Sequence, residues 1–275
     1  MPVPVYEKVF SPAEEGFISE THENLCCLES LSAHFPKTCA RTLDRGFDGN
    51  EYYKYFLKNQ EKFVIRAKKN RNVIYNGKTW NIMDVANKYK GNYRMDFMDK
   101  HGKKVECKIS YIPVSLCKYP GKKLILVAVY GFGKEPMLLT NLKMEEKKEL
   151  CLIVAKIYLM RWRIEEYFKF KKQQFGLEDF RVMSLQSIRN LNLLATLAAG
   201  YIGIMSSEKD DTIFMMELKE CSKRIYDIPQ FVFYALRYAI KRILAGTRSG
   251  IKGFLLKKEQ SQQVTLSQYF KIGVF

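Results

Sequence analysis

The stretch from Ile157 to Lys172 constrains this chain more than any other part of its sequence. It contains Tyr158, Arg161, Glu165 and Lys172, separated by 3, 4 and 7 residues. On an α-helix, which turns by roughly 100° per residue, these four side chains fall within an arc of about 60°. One carboxylate therefore shares a helix face with two cations and a phenol. This arrangement suits a bound metal ion whose substrate is a phosphodiester.

The surrounding residues predict one long helix, from about Met144 to Gln174, which ends near Gly176. An apolar stripe beside the polar face is predicted to be buried; it consists of Ile153, Ile157, Ile164 and Phe168. A plainer interpretation is a solvated basic helix in which Arg161 pairs with Glu165. Spacing alone does not separate the two interpretations.

The charge of the chain points to a polyanionic partner. There are 46 Lys and Arg against 29 Asp and Glu, a formal net charge of +17. Nucleic acid is the first expectation and an anionic membrane surface the second. The basic residues are interleaved with 17 Tyr and 18 Phe, which favours a folded binding surface over a disordered arm. The most apolar run, Leu191 to Met205, is too short to span a membrane.

Cysteine usage argues against a zinc site. The seven Cys show no C-x-x-C spacing, and only three His are present. Reduced cysteines in a cytoplasmic protein are the simple interpretation. The start of the chain does not have the pattern of a signal peptide.

Periodicity predicts alternating strands and helices before residue 72 and helices after residue 184. The predicted strands are Val3–Phe10, Cys39–Leu43, Lys62–Ala67, Leu124–Tyr130 and Met137–Thr140, with a period of two from Val105 to Tyr111. The predicted helices are Thr21–Ser32 with Thr21 as N-cap, Glu51–Asn59, Ser187–Ser206, Thr212–Ile225 and Gln230–Leu244. Gly46–Gly49 is predicted to be a turn, and Asn141 a helix cap. This order is that of an α/β layer fold.

The motif around Glu165 resembles the Tyr-x2-Arg-x3-Glu-x6-Lys signature of the IS4-type DDE transposases, the cut-and-paste enzymes of bacterial insertion sequences. The residues from Arg161 to Phe168 also resemble the family's usual sequence around its third catalytic carboxylate. A second segment, Thr42–Asp48 followed by Lys62–Arg71, resembles the region that holds the family's second catalytic Asp. Asp44 matches that metal ligand. Asp48 falls where the family often has another Asp, although a turn residue or a helix N-cap is the favoured interpretation.

The resemblance implies an RNase H-like core with a β-rich insertion and a C-terminal helical region. The expected division is residues 1–71 for the first part of the core, 72–136 for the insertion, 137–185 for the helix with the catalytic Glu, and 186–275 for the helical region. It also implies that Asp44 and Glu165 are catalytic and hold Mg²⁺, for which Mn²⁺ can substitute. Carboxylates suit that task because Mg²⁺ prefers hard oxygen ligands, and two such ions can stabilise both the attacking and the leaving oxygen.

In the family, the residues that match Tyr158, Arg161 and Lys172 hold DNA near the cleaved end. Arg66, Lys68 and Arg71, together with Lys69, form a second basic cluster, either a DNA-binding ledge or a solvated rim. Lys169 and Lys171 are expected to face solvent. A C-terminal basic group is expected to solubilise a helical bundle, with DNA contact as the alternative; it consists of Lys241, Arg242, Arg248 and Lys252. Trp80 and Trp162 are candidates for base stacking, with packing favoured for Trp162.

One carboxylate of the family's pattern is missing, because no Asp precedes Asp44. We therefore expect an N-terminally truncated core that lacks its first strand or strands, and a partial or inactive transposase. The alternative is a non-catalytic DNA-binding or inhibitory fragment. A third possibility is an unrelated basic protein in which Glu165 is only an ion-pair partner. The expected partners are transposon inverted-repeat ends, target DNA, and a second copy or a full-length transposase, in the bacterial cytoplasm at the nucleoid and not at a membrane.

Overall fold

The computed structural model describes residues 3–98, 104–131, 137–176, 181–182 and 184–207. Its contacts divide the chain into two compact units. One unit is Phe10–Glu165, and the other combines Met1–Val9 with Glu166–Phe275. The four-part division given above stays a prediction.

The unit formed by Phe10–Glu165 is built around one mixed sheet. Its helices are α1 (Glu20–Ser32), α2 (Asn50–Asn59), α3 (Ile82–Tyr89) and α4 (Lys147–Met160), with a 3₁₀ helix at Arg45–Phe47. Its strands are β1 (Arg41–Leu43), β2 (Phe63–Arg66), β3 (Asn72–Tyr75), β4 (Lys78–Asn81), β5 (Tyr93–Met98), β6 (Lys104–Leu116), β7 (Tyr119–Tyr130) and β8 (Met137–Thr140). A fifth helix, α5 (Trp162–Phe175), starts at the end of this unit and continues into the other.

The strand order is β1-β2-β8-β7-β6-β3-β4, with β5 paired to β6. Only the β1–β2 pair is parallel among the pairs of the described residues, in the register Thr42 with Val64. Because β1 and β2 run in the same direction, their carboxyl ends lie at the same edge of the sheet. The strands β6, β7 and β8 extend the sheet by antiparallel pairing.

Alternate residues of the central strands divide between two hydrophobic clusters, because successive side chains of a strand point to opposite faces. In β2, Phe63 and Ile65 pack with buried residues of α2 and α3. Val64 packs on the other face with residues of α4, which include Val154. Helices therefore cover both faces of the sheet, and the mixed α/β class is confirmed.

The predicted strand at Val3–Phe10 is wrong. These residues form no strand in the structure. Val3 and Val5 are exposed, so their alternation does not mark a buried sheet face. Pro4 also lacks the N–H group that a ladder needs.

The two predicted helix caps, Thr21 and Asn141, are also wrong. The N-cap of α1 is Ser19, whose hydroxyl accepts a hydrogen bond from His22 N at 3.1 Å, and not Thr21. Asn141 caps no helix. Its side chain instead accepts from Phe63 N at 3.0 Å and donates to Glu61 O at 2.7 Å, which fixes the end of β8 beside the start of β2. The helix α3 lies inside the segment that was predicted to be β-rich.

The predicted long helix is divided in two at Arg161. The amide of Arg161 bonds to Tyr158 O, and the amide of Ile164 bonds to Arg161 O, both at 3.0 Å. These three-residue steps replace the four-residue steps of an α-helix at the junction. The common arc calculated for one straight helix therefore does not hold across this point.

The predicted apolar stripe is not the buried face of these helices. Ile164 is 46% exposed and Phe168 is 44% exposed. The buried residues of α4 are instead Leu150, Cys151, Val154, Ala155 and Tyr158. The break does not explain this error, since Ile153 and Ile157 precede Arg161 and are already only partly buried.

The other unit contains the rest of α5 and α6 (Leu185–Ser207), which confirms the helix predicted at Ser187–Ser206. Lys171 is fully buried here, so the expectation that it faces solvent is wrong. Its ammonium contacts both carboxylate oxygens of Glu7, at 2.8 and 2.7 Å, and the side-chain oxygens of Asn192 and Thr196, at 2.9 and 2.8 Å. Arg189 donates to Val9 O at 2.9 Å. Lys169 is exposed, as expected.

The helices predicted at Thr212–Ile225 and Gln230–Leu244, and the basic group from Lys241 to Lys252, lie outside the described residues. Across the ranges that the structure describes, no helix has both the length and the apolar character needed to cross a membrane.

Candidate functional site

A cleft of about 490 Å³ opens in the unit formed by Phe10–Glu165, beside the carboxyl ends of β1 and β2. It is lined by Asp44, Arg45, Gly46, Arg66, Lys68, Arg161 and Glu165. Asp44 follows β1, and Arg66 is the last residue of β2, so the parallel pairing of these strands brings them to one edge. The junction of α4 and α5 supplies Arg161 and Glu165.

Asp44 starts the 3₁₀ helix that forms one wall of this cleft. One of its carboxylate oxygens accepts a hydrogen bond from Arg45 N at 2.6 Å. The other lies 3.8 Å from a terminal nitrogen of Arg161. The side chain of Asp44 is half-exposed, so the carboxylate is accessible from the cleft.

Arg161 links the two carboxylates that the sequence singled out. One terminal nitrogen donates to Glu165 Oε1 at 2.5 Å, one helical turn away, and the other faces Asp44. Burial lowers the pKa of Arg161, but the hydrogen bond to Glu165 and the nearby charges outweigh it and raise this pKa overall. The ion pair of the plainer interpretation is therefore present, and it lies inside the cleft.

Tyr158 is placed differently from the other residues of the motif. It is 7% exposed and packs in the cluster between the sheet and α4. Its hydroxyl makes no hydrogen bond to another described residue. Tyr158 is not among the residues that line the cleft. Its role in holding DNA stays a prediction.

The turn after β2 divides the predicted basic cluster into two groups. Arg66 and Lys68 line the cleft, and Lys69 is exposed. Arg71 instead points to Asp48, with a terminal nitrogen 2.9 Å from Asp48 Oδ1. The structure thus brings Arg66 and Lys68 together with Asp44, while the charge of Arg71 is paired elsewhere.

Asp48 is neither a simple turn residue nor the N-cap of α2, where Gly49 stands. Its side chain is completely buried and carries an ion pair with Arg71. Sequence reasoning missed this pair because the two residues lie 23 positions apart, with a helix and a strand between them. An Asp just before an aromatic helix, followed by an Arg after the next strand, is the signal that could have found it.

Lys172, Trp80 and Trp162 are the other residues that are candidates for DNA contact. Lys172 is exposed on the part of α5 that belongs to the other unit, and its role stays a prediction. Trp80 has the ammonium of Lys88 at 3.5 Å from its ring centroid, so one face of the ring is already covered. The structure does not describe the side chain of Trp162.

The cleft is basic overall. Four of its lining side chains are cations, namely Arg45, Arg66, Lys68 and Arg161, and two are carboxylates. A concave surface with excess positive charge attracts polyanions and raises their local concentration. The chemistry of this site therefore suits a phosphate backbone better than a neutral ligand.

Comparison with known families agrees with this geometry. The sequence profile of the family described as transposase DDE domain matches residues 19–200, about two thirds of the chain. The chain therefore belongs to the DDE transposase family. No curated protein was found to match it.

The family implies a divalent metal ion, and the described residues fit that ion only in part. Asp44 and Glu165 offer the hard carboxylate oxygens that Mg²⁺ prefers. Both carboxylates, however, face the guanidinium of Arg161. In the described ranges, no group of three or more His, Cys, Asp or Glu side chains is arranged to hold a metal. As they stand, these residues do not make a metal site.

Proposed function

We propose that this chain is a transposase of the IS4 type, and that the cleft beside β1 and β2 receives the phosphate backbone of DNA. The observation that carries the proposal is the convergence of Asp44, Arg66, Lys68, Arg161 and Glu165 on one cleft from three separate elements. Its substrates are then transposon inverted-repeat ends and target DNA, which places its work at the bacterial nucleoid.

The roles of the side chains follow from their chemistry. Arg66 and Lys68 carry no ion pair that competes for their charge in the described residues, so they are the first candidates for phosphate contact. Such contacts position the duplex and do not read its sequence. Arg161 is the third candidate, although it must first leave one of its two carboxylates. Asp44 and Glu165 are proposed as two of the catalytic carboxylates.

The RNase H-like core is also part of this proposal. Its support is the β1–α2–β2 segment, in which two parallel strands are joined by a helix and a carboxylate follows the first strand. Mg²⁺ or Mn²⁺ is the expected cofactor of the family. The described residues do not complete a ligand set for this ion.

A second candidate function is non-catalytic DNA binding, including inhibition through association with a second copy or a full-length transposase. It is favoured by the cleft itself, where the described residues bring together two carboxylates and no third one. Both candidates share the DNA-binding cleft and differ only in whether the chain cuts DNA.

The binding half of the proposal is tested by fluorescence anisotropy with a labelled DNA duplex over a series of salt concentrations. Lys68→Gln is expected to reduce the slope of log K against log salt by about 1, because one phosphate contact is lost. Lys122→Gln is the matched control, since Lys122 is an exposed lysine of β7 outside the cleft. Equal slopes for the two variants would show that the cleft does not hold DNA.

The catalytic half is tested by nicking of supercoiled DNA in Mg²⁺, in Mn²⁺ and in EDTA. Metal-dependent nicking that disappears in Asp44→Asn and Glu165→Gln would establish the transposase chemistry. DNA binding without nicking in either metal would support the second candidate. Nicking that survives both substitutions would show that these carboxylates are wrongly assigned.

A further inference from the structure

Every oxygen of the Asp48 side chain is engaged within the described residues. Oδ1 accepts from Tyr53 Oη at 2.7 Å and faces a terminal nitrogen of Arg71 at 2.9 Å. Oδ2 accepts from Lys68 N at 2.7 Å and from Arg71 Nε at 3.2 Å. The carbonyl of Asp48 accepts from Arg71 at 2.6 Å. This side chain therefore holds the backbone of Lys68 directly, in addition to the guanidinium.

These bonds join the two walls of the cleft. Asp48 ends the 3₁₀ helix that Asp44 begins, and its amide bonds to Arg45 O at 3.2 Å. Lys68 and Arg71 belong to the turn that follows Arg66, and this turn is closed by a bond of 3.0 Å from Arg71 N to Lys68 O. One wall thus carries Asp44 and Arg45, the other carries Arg66 and Lys68, and Asp48 is bonded to both walls.

Two further side chains, Tyr53 and Asn50, contact the ion pair of Asp48 and Arg71. Tyr53 is fully buried, and its ring lies under the guanidinium of Arg71 at 5.5 Å from the centroid. Burial and the charge of Asp48 raise the pKa of Tyr53 well above its ordinary value, so its hydroxyl remains a donor. Arg71 also donates to Asn50 Oδ1 at 3.2 Å. A planar guanidinium presents five N–H donors in a fixed fork, a geometry that the point charge of a lysine does not reproduce.

A buried ion pair is weak evidence of stability alone, because the cost of removing both charges from water offsets their attraction. The contribution of this ion pair is to hold the backbone in position. It fixes the backbone from which Lys68 projects, and it neutralises Arg71, so that this arginine does not compete for phosphate.

We propose that Asp48 and Arg71 are positioning residues, whose ion pair sets the spacing between the Asp44 wall and the Arg66–Lys68 wall of the DNA-binding cleft. The inference rests on the proposed DNA binding and adds a residue pair that touches no DNA itself. Loss of the pair should release the turn at Lys68, and the cations there should then contribute less to phosphate contact.

The direction of the change in DNA affinity separates a positioning role of Asp48 from a purely electrostatic one. Removal of any negative charge from a DNA-binding protein favours DNA on electrostatic grounds. Asp84→Asn, on the exposed first turn of α3, should therefore leave DNA affinity unchanged or slightly higher. Asp48→Asn makes the same change of charge, yet it is expected to weaken binding and to reduce the salt slope by about 1 to 2.

A double-substitution cycle separates positioning from general damage. Lys68→Gln should weaken binding in wild type and in Asp84→Asn, but should have little further effect in Asp48→Asn, because its contact is already lost. Circular dichroism and thermal melting establish that each variant is folded at the assay temperature. If folded Asp48→Asn binds as well as Asp84→Asn and the cost of Lys68→Gln is unchanged, the positioning role is refuted. If Lys68→Gln has no effect in wild type, the DNA-binding proposal itself fails.

Should Asp48→Asn not fold, Arg71→Lys provides the same test. It keeps the charge but loses the bonds that only the guanidinium fork can make. Its control is Arg94→Lys, on an exposed arginine paired with Glu106. A salt slope that is reduced in Arg71→Lys, and unchanged in Arg94→Lys, supports the inference. Equal slopes for both variants overturn it.

Discussion

Arg161 donates a hydrogen bond of 2.5 Å to Glu165, four residues further along the chain and inside the cleft. The same guanidinium faces Asp44 at 3.8 Å. One cation of the chain thus lies against both carboxylates that are proposed to be catalytic. Any phosphate or metal ion that enters the cleft has to compete with this internal pairing.

The first prediction concerns that competition. Arg161→Gln removes a candidate phosphate contact and should reduce the salt slope of DNA binding by about 1. It should also raise the affinity for Mn²⁺, because two carboxylates lose their neighbouring cation. Titration calorimetry measures the second effect without any need for catalysis.

Arg163→Gln is the control for this change, because Arg163 is an exposed residue two positions further on, in the first turn of α5, and lies outside the cleft lining. The prediction is contradicted if Arg161→Gln and Arg163→Gln bind Mn²⁺ equally well. The added substitution Glu165→Gln should abolish the gain, which would locate it at this site.

The second prediction concerns the buried lysine. Lys171→Met removes a fully buried ammonium and leaves Glu7, whose side chain is 22% exposed, without its partner. Because water still reaches part of this carboxylate, we expect a loss of about 1–2 kcal/mol in the free energy of unfolding, which is less than for a fully buried pair. Chemical denaturation monitored by circular dichroism measures it. Lys169→Met, on the exposed side of α5, should change stability by less than about 0.5 kcal/mol.

The third prediction concerns acid sensitivity. Burial raises the pKa of Glu7, but the hydrogen bonds from Lys171 and Thr196 outweigh it and bring this pKa below its ordinary value of 4.5. A lowered pKa in the folded state means that the stabilisation is present above pH 4.5 and is lost as the pH falls through the lowered value. Wild type should therefore exceed Glu7→Gln in melting temperature at pH 7, and this difference should shrink on acidification. A constant difference from pH 7 to pH 3 would be incompatible with this assignment.

The fourth prediction has the opposite sign. Burial raises the pKa of Glu166 to about 7, although Lys169 acts in the other direction. A carboxyl that binds its proton more tightly when folded loses stability as the pH rises from about 4.5 to 7. Glu166→Gln should therefore melt higher than wild type at pH 8 and about equally at pH 4. Equal melting temperatures of Glu166→Gln and wild type at pH 8 would contradict this prediction.

The motif could be recognised from sequence because its key contact is local. Arg161 and Glu165 are four residues apart, so helical spacing alone brings them together. The approach of Asp44 depends on the parallel pairing of β1 and β2, and the family resemblance was needed to predict it. The break at Arg161 could not be predicted, since no Pro or Gly marks it.

The buried charges were missed for a related reason. Lys171 reads as one more cation in a basic helix, because its acceptors lie at positions 7, 192 and 196. Asp48 reads as a turn residue until Arg71 is brought beside it by the path of β2. Local pattern determines which residues are polar, whereas the burial of a charge is determined by partners that are distant in sequence.

The Lys171–Glu7 contact can form only after both residues have been synthesised. The two residues are 164 positions apart, so Glu7 leaves the ribosome long before its partner is made. At rates of about 5–20 residues per second this interval is roughly 10–30 s. During that interval the segment around Glu7 lacks its partner and is accessible to a chaperone or a protease. This segment is thus made early, but it gains its contact only after Lys171 has been synthesised.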